Sequence, residues 1–268
     1  MEIHAKLKRP PVVETAVSVL FAPIAGLTNA HLGAFWNSLR EDFPTANDAE
    51  PIEPIIERFG KDIARRLRLP QIRFVPAQGA SRIQMTATDG HRMTQIQNGR
   101  LVYNWRRQAD GVYPSWEAVF SHFKDSLERF NKFLSDSSLP TIEPTQWEVV
   151  YVNHLFRGDD WNSPAEWPEL VPGLLAPAIS VANCQLESTV TNSHFVFPKD
   201  RGRLHVDLYH GFTGLDEQAK ELLIFQLTAR GPVDDCQTLF DGLSSGHEII
   251  VRTFEEVIGP RARKLWGS

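Results

Sequence analysis

With 268 residues, the chain exceeds the common size of a single domain and suits two. Its composition, 42% hydrophobic and 23% charged, is typical of globular proteins, and a formal charge of −5 excludes a general attraction to nucleic acid or anionic lipid. Two cysteines, Cys184 and Cys236, exclude a disulfide framework and a cysteine metal pair. No apolar window approaches the length of a membrane span, so we expect a soluble, cytoplasmic protein without membrane contact.

The first half opens with VVETAVSVLF at 12–21, whose alternating apolar residues predict a strand. An apolar stripe at helical spacing predicts a helix over 29–43, and the Pro- and charge-rich connection 44–70 holds at most a short helix. Asn98-Gly99 predicts a type I′ hairpin turn, because both residues tolerate positive φ. Three short strands are predicted at 71–76, 82–88 and 92–97, and a further strand follows the turn at 101–107. A long core-facing helix is predicted at 115–134.

The second half repeats this order. Its leading strand is WEVVYVNHLF at 147–156, and the capping-box sequence SPAE at 163–166 predicts the start of a short helix. The long helix over 235–258 has an apolar stripe and ends at Gly259-Pro260, which is a typical stop. The remaining predicted elements are strands at 181–191, 194–198, 203–210 and 222–230.

Corresponding segments of the two halves have similar sequences. The run LVYNWRR begins at Leu101 and LIFQLTA begins at Leu223, so the closing strands lie 223 − 101 = 122 residues apart. We therefore predict an α+β protein built by tandem duplication of a strand–helix–(three or four strand)–long helix unit, with antiparallel sheets and helices on one face. The predicted boundaries are 1–134 for the first repeat with 44–70 as an inserted connection, 135–144 for a linker and 145–268 for the second repeat.

Four segments in consistent order across the whole chain carry a resemblance: PPVVETAVSVLFAP, QIQNGRLVYNWRRQADGVYPSWEAVFSHF, WEVVYVNHLF and GHEIIVRTFEEVIGPRARKLW. The chain resembles a sporadically distributed bacterial family of uncharacterised proteins with NWR…YP, YxN and C-terminal HEWIVRxF motifs. It departs from that pattern at Ile249, where the family motif prefers Trp. The matching residues are Asn104, Trp105, Arg106, Tyr113, Pro114, Tyr151, Asn153, His247, Glu248 and Phe254. This resemblance implies no activity, and a second likeness, to the strand–helix–four-strand–helix repeat of the TATA-binding protein, concerns fold alone.

Three motifs point to chemistry, but each lacks part of what that chemistry needs. GLSSG at 242–246 fits G-x-S-x-G, yet the nucleophile elbow requires a strand before the serine and here the pattern is helical. His247-Glu248 begins like a zinc-protease helix, but Val251 stands where the second ligand belongs. His205 and Asp207 share one face of the strand HVDLYH, and a metal would need a further ligand from elsewhere. We therefore predict no catalytic residue, no metal and no cofactor.

A dense basic run lies in the inserted connection and just beyond it. With Glu57 and Asp62 as partners it fits a solvated helix face. The alternative is a phosphate-contacting patch, whose affinity for nucleic acid would fall steeply with added salt. Its members are Arg58, Lys61, Arg65, Arg66 and Arg68, followed by Arg73.

Strand alternation supplies the candidate binding residues. LVYNWRR and LIFQLTA each place bulky side chains on one face and an amide in the middle of the other. Because a buried amide without partners costs about 1–3 kcal/mol, Asn104, Asn153 and Gln226 either tie strands or loops together or line an open sheet face that receives a ligand or partner. The other residues predicted for that face are Arg106, His205, Asp207 and Tyr209.

These observations favour a non-enzymatic binding or scaffold protein that engages a macromolecular partner, with another protein favoured over nucleic acid. One alternative is a small-molecule binder with an apolar pocket between helix and sheet. Others are a nucleic-acid-associated accessory or defence component, and a hydrolase or transferase whose site the sequence does not show. A pocket of several hundred Å3 between sheet and helices, with a few converging polar groups, would favour the small-molecule binder. A broad, shallow, aromatic-rimmed face would favour the macromolecular one.

Overall fold

A computed structural model describes residues 7–59, 81–108, 111–175, 184–214, 217–234 and 236–267. Over these residues the chain is an α+β protein with nine strands and five α-helices. The strands are β1 Val12–Phe21, β2 Thr45–Ala49, β3 Arg82–Thr86, β4 Arg92–Gln97, β5 Arg100–Arg106, β6 Pro144–Phe156, β7 Val190–Val196, β8 Arg203–Phe212 and β9 Glu221–Pro232. The helices are α1 Asn29–Ser38, α2 Trp116–Asp136, α3 Trp167–Leu170, α4 Cys236–Val257 and α5 Pro260–Trp266.

All nine strands belong to one antiparallel sheet in the order β2-β3-β4-β5-β1-β6-β9-β8-β7. In each half of the chain the leading strand, β1 or β6, lies beside the strand that precedes the long helix, β5 or β9. The two leading strands pair with each other, Val17 opposite Val149, at the centre of the sheet. The strands of both halves therefore form a continuous sheet rather than two sheets packed face to face.

Strand alternation gives the sheet an apolar face and a polar face. The apolar face carries fully buried side chains such as Val17, Tyr103, Val149, Phe225 and Val206. We use "polar face" for the opposite side, whose side chains include Glu14, Asn104, Glu148, Gln226 and His205.

The long helices contact side chains of the apolar face. In α2, His122 stacks on Tyr103 and the Ser126 hydroxyl lies 3.3 Å from that of Thr94. In α4, Phe254 stacks on Phe225. Each long helix buries a stripe of apolar residues at helical spacing. The buried residues are Val119, Phe123, Leu127, Phe130 and Leu134 in α2, and Leu239, Leu243 and Ile250 in α4. No described helix combines the length and apolar character that crossing a membrane requires.

The β4–β5 hairpin forms where the sequence predicts it, but its turn is not type I′. Gln97 pairs with Arg100, so Asn98 and Gly99 are the two loop residues, and only Gly99 has positive φ, at +104°. A type I′ turn needs positive φ at both positions. Asn98 instead uses its side chain to hold the loop after β1, since Oδ1 accepts from the Ile24 N–H at 2.8 Å and Nδ2 donates to the Ile24 carbonyl at 3.1 Å.

Other differences from the predicted elements have local causes. The polar sequence TANDA forms strand β2 because its backbone pairs with β3, although it lacks apolar alternation. The break predicted at 192–193 is absent, and β7 runs through it as an edge strand paired with β8. Gly259-Pro260 ends α4 but also begins α5, because Pro suits the first helical position. The strand predicted at 71–76 lies outside the described residues. Of the strand predicted at 181–191, residues 181–183 also lie outside them and residues 184–189 form no strand, so that prediction was wrong except for its last two residues, which belong to β7.

Candidate binding surface on the polar face

A ladder of amide side chains crosses the first half of the polar face. Gln84 Nε2 donates to Gln95 Oε1 at 3.1 Å, and Gln95 Nε2 donates to Asn104 Oδ1 at 2.7 Å. Asn104 Nδ2 then donates to Glu14 Oε1 at 2.6 Å. The ladder links β3, β4, β5 and β1, so the buried amide of Asn104 is paired at both its oxygen and its nitrogen.

A chain of buried charges continues across the centre. Glu148 on β6 accepts from Arg100 Nη2 at 2.9 Å and lies 3.1 Å from Arg230 Nε. The second contact has the length of an ion pair without the alignment of a hydrogen bond, and the Nε atoms of both arginines have no hydrogen-bond partner among the described residues. Burial, more than any neighbouring charge, lowers the pKa of Arg100, and the Glu148 carboxylate opposes that shift.

The charge chain ends in a pocket around Glu57, which comes from the connection after β2 rather than from the sheet. The Glu57 carboxylate contacts Arg203 Nη1 and lies 2.7 Å from His205 Nε2 and 3.9 Å from Arg230 Nε. Burial on its own would raise the pKa of Glu57, but hydrogen bonds from His205 and Arg203 outweigh it and lower that pKa. Glu57 is therefore held as a carboxylate. His205 Nδ1 lies 2.8 Å from His194 Nδ1, and His194 belongs to β7, so this contact extends the series of polar contacts to the edge strand.

A groove of about 390 Å3 lies between the ladder and the charge chain. Its floor is apolar, formed by Ala16, Val102, Val150 and Val152. Charged and amide side chains surround the floor, and Ile52 borders one end. The polar members are Glu14, Arg82, Gln84, Gln95, Arg100, Asn104, Arg106 and Glu148.

Six of the seven predicted binding residues share this face. Of these, Arg106 is exposed with its Nε 3.8 Å from Glu14, and Gln226 donates to the Thr228 hydroxyl at 3.2 Å. Asn153 lies on the apolar face, where its Nδ2 donates to the Phe225 carbonyl at 3.1 Å and ties β6 to β9. The six on the polar face are Asn104, Arg106, His205, Asp207, Tyr209 and Gln226.

The arginines that carry much of the charge on this face were not predicted from the sequence. Extending each strand's alternation by one or two steps would have found them, because Arg100 shares a face with Asn104, Arg203 with His205, and Arg230 with Gln226. Of the basic run, the described part includes Arg58, which is exposed and whose carbonyl accepts from Arg203 Nη2 at 3.3 Å. Lys61, Arg65, Arg66, Arg68 and Arg73 lie outside the described residues.

Several residues of the family resemblance meet on the apolar side. The Tyr151 hydroxyl lies 2.8 Å from that of Tyr113 and 2.9 Å from His247 Nδ1, and Trp116 stacks on the His247 ring at 4.3 Å. Burial raises the pKa of Tyr151 well above its usual value, so its hydroxyl stays neutral. The cluster ties α4 to β6 and to the segment before α2, and Trp105 adds an edge contact to Tyr113.

No protein-family model matches this chain, and no curated protein matches its sequence. The resemblance described above therefore rests on those residues and on their order along the chain. Within the described residues, no group of three or more His, Cys, Asp or Glu side chains could hold a metal ion.

The G-x-S-x-G sequence lies inside helix α4 and serves packing. Ser244 donates its hydroxyl to the Phe240 carbonyl, four residues back in the helix, at 2.9 Å. The two glycines face the Trp147 ring of β6: a Cβ on Gly242 would lie 2.3 Å from Trp147 Nε1, and one on Gly246 would lie 2.6 Å from Cζ3. The glycines therefore let α4 approach the indole closely.

We expect Gly242→Ala to lower the free energy of unfolding by about 1–3 kcal/mol, because the added methyl overlaps a buried indole. Gly33→Ala in α1 is the matched control. An added Cβ there meets nothing within 4 Å. The change should therefore raise the free energy of unfolding by about 0.4–1 kcal/mol, because alanine lowers the conformational entropy of the unfolded chain. Urea unfolding of both variants measures the difference. Equal effects of the two substitutions would contradict close packing at Gly242.

Proposed function

We propose that this chain is a non-enzymatic binding protein that engages another protein through the polar face. The observation that carries the proposal is the groove, which has an apolar floor and a rim of fixed polar groups. An apolar centre within a polar rim is the usual anatomy of a protein–protein contact.

The side chains around the groove are already held in place by one another. Glu14 is bound by Asn104, and Glu148 is bound by Arg100. A surface whose polar groups are fixed before binding loses less side-chain entropy when a partner docks. The same pairings occupy the Glu14 and Glu148 carboxylates, which are the groups of this rim that acid–base chemistry would use, and this favours binding over catalysis.

We expect Val150→Arg to abolish capture of the partner while changing the free energy of unfolding by no more than about 1 kcal/mol. Val150 is a half-buried residue of the groove floor, so an arginine there places a long charged side chain in the contact. The measurement is affinity capture under native conditions from the cells that make the protein, with urea unfolding as the check on folding.

Val112→Arg makes the same chemical change at a residue that is 83% exposed and outside the groove, so it should retain the partner. Nuclease treatment before capture separates a protein partner from a nucleic-acid one. Capture of the same protein by wild type and Val150→Arg would exclude the polar face as the contact.

A second candidate, the small-molecule binder, is favoured by a cavity of about 540 Å3 beside α4, within the size range of ligand pockets. Trp147, Phe197 and Ile249 line it with apolar surface, and Lys199 and Arg201 line its cationic part. Trp147 belongs to the apolar face and Val150 to the polar face. A ligand in this cavity should therefore bind the Val150→Arg variant normally.

We also propose that the chain is a cytoplasmic bacterial protein of the family that its motifs resemble, and that it arose by tandem duplication with its helices gathered on the apolar face. The strand orders β4-β5-β1 and β8-β9-β6 support duplication, because in each the leading strand of that half, β1 or β6, lies nearest the centre of the sheet and its last strand, β5 or β9, lies next to it. The position of α2 after β5 and of α4 after β9 supports it as well. A rotation that fails to bring β1, β5 and α2 onto β6, β9 and α4 would overturn it.

A further inference from the structure

A stretch of the chain's own backbone lies across one end of the polar face. We call residues 52–57 the strap. It contacts Gln97 on β4 at one end and His205 on β8 at the other. β4 and β8 are five positions apart in the sheet, which corresponds to about 24 Å. The five residue steps from Ile52 to Glu57 cover at most about 18 Å when fully extended. The strap is therefore nearly extended, and the side chains of Gln97 and Glu57 bridge the rest.

Two buried glutamine side chains hold the strap by its backbone. Gln97 accepts from the Ile52 N–H at 2.8 Å and donates to the Ile52 carbonyl at 2.9 Å, as a neighbouring antiparallel strand would. Gln146 donates to the Ile55 carbonyl and accepts from the Glu57 N–H, both at 2.8 Å. Backbone groups are common to all sequences, so these four hydrogen bonds would hold many extended segments.

One strap side chain is recognised specifically. Ile55 and Ile56 are 59% and 51% exposed, so their side chains add little to the attachment. Glu57, by contrast, has its side chain 4% exposed between Arg203, His205 and Arg230. The surface therefore selects an extended backbone that places a carboxylate in this pocket.

The pocket also requires an anion for electrostatic reasons. Without Glu57, Arg203 would lose its ion pair, and Arg230 would lose a carboxylate at 3.9 Å and keep its contact with Glu148, which Arg100 shares. Unpaired buried guanidinium groups are strongly destabilising, so an occupant that replaces the strap must bring a carboxylate of its own. The strap's neighbourhood has this character, with Glu50, Glu53 and Glu57 within eight residues.

We propose that the polar face binds an extended acidic segment of the partner protein, with a glutamate in the Arg203–His205–Arg230 pocket and its backbone on Gln97 and Gln146. The strap is the chain's own occupant of this site, and the partner segment displaces it. This inference rests on the proposed function, since it places the partner on the same face. Detachment of the strap is feasible because it belongs to no helix or strand and buries few apolar side chains.

The test uses the full chain with a loosened strap and a fluorescent peptide of strap sequence, EPIEPIIE, with capped ends. Fluorescence anisotropy should show at least about tenfold tighter binding to Glu57→Ala than to wild type, where the tethered strap competes at high effective concentration. The control peptide EPIEPIIQ should bind Glu57→Ala at least about tenfold more weakly, because it lacks the charged hydrogen bonds. Glu57→Gln, which keeps the size of the side chain, is the second loosened variant if Glu57→Ala folds poorly.

Equal affinity for the two peptides, or no peptide binding to a folded loosened variant, would overturn the inference. Tighter binding of a single-stranded oligonucleotide than of the peptide would overturn it too. Partner capture with Val150→Arg reports separately on the proposed function, because Val150 lies in the groove floor and outside the Glu57 pocket. Loss of capture by that variant together with failed peptide binding would leave the proposed function standing and remove this inference alone.

Discussion

Replacing Glu148 with alanine is expected to lower the free energy of unfolding by about 3–5 kcal/mol. The Glu148 side chain is 12% exposed and lies between Arg100 and Arg230, which are 8% and 10% exposed. Its removal leaves two buried guanidinium groups without the carboxylate they share. Equilibrium unfolding in urea at neutral pH measures the loss, since the unfolded chain hydrates all three groups.

Glu143→Ala is the matched control, because Glu143 is exposed just before β6 and should cost no more than about 0.5 kcal/mol. A cost below about 1 kcal/mol for Glu148→Ala would mean that water reaches the arginines. That result would also weaken the electrostatic part of the argument that the Glu57 pocket requires an anion.

Phe123→Ala is expected to cost about 3–5 kcal/mol, because the ring is fully buried in the core and the change leaves a cavity that close-packed neighbours cannot fill. Phe195→Ala on the edge strand β7 deletes the same atoms from a side chain that is 52% exposed. The control should cost less than about 1 kcal/mol. Urea unfolding measures the free energy of unfolding of both variants. Equal losses would refute the assignment of the face by which α2 packs on the core.

Sequence periodicity predicted the parts of the fold that depend on local alternation. In LVYNWRR, Tyr103 and Trp105 point to the apolar face and Asn104 to the polar face, as period-two patterning requires. The stripe of α2 through Phe123 and Phe130 likewise predicted its buried face. These outcomes follow from backbone geometry, which repeats along each element regardless of what lies farther away.

The parts that escaped prediction depend on contacts between distant segments. Glu57 meets His205 across 148 residues, and Gln146 meets Ile55 across 91. A glutamine that grips a backbone and one that faces water have the same local sequence pattern, so no window of residues distinguishes them. The pairing of β1 with β6 is of the same kind, since alternation predicts a strand but not its neighbour.

The β1–β6 pairing also sets the order in which the molecule can be completed. During synthesis β5 becomes available to one edge of β1 long before β6, which begins 144 − 21 = 123 residues after β1 ends. Until then the other edge of β1 presents unpaired backbone groups to any strand nearby, which is a known route to aggregation. We therefore expect the nascent first half to aggregate more readily than the complete chain, and a slow step in refolding should correspond to the pairing of β1 with β6.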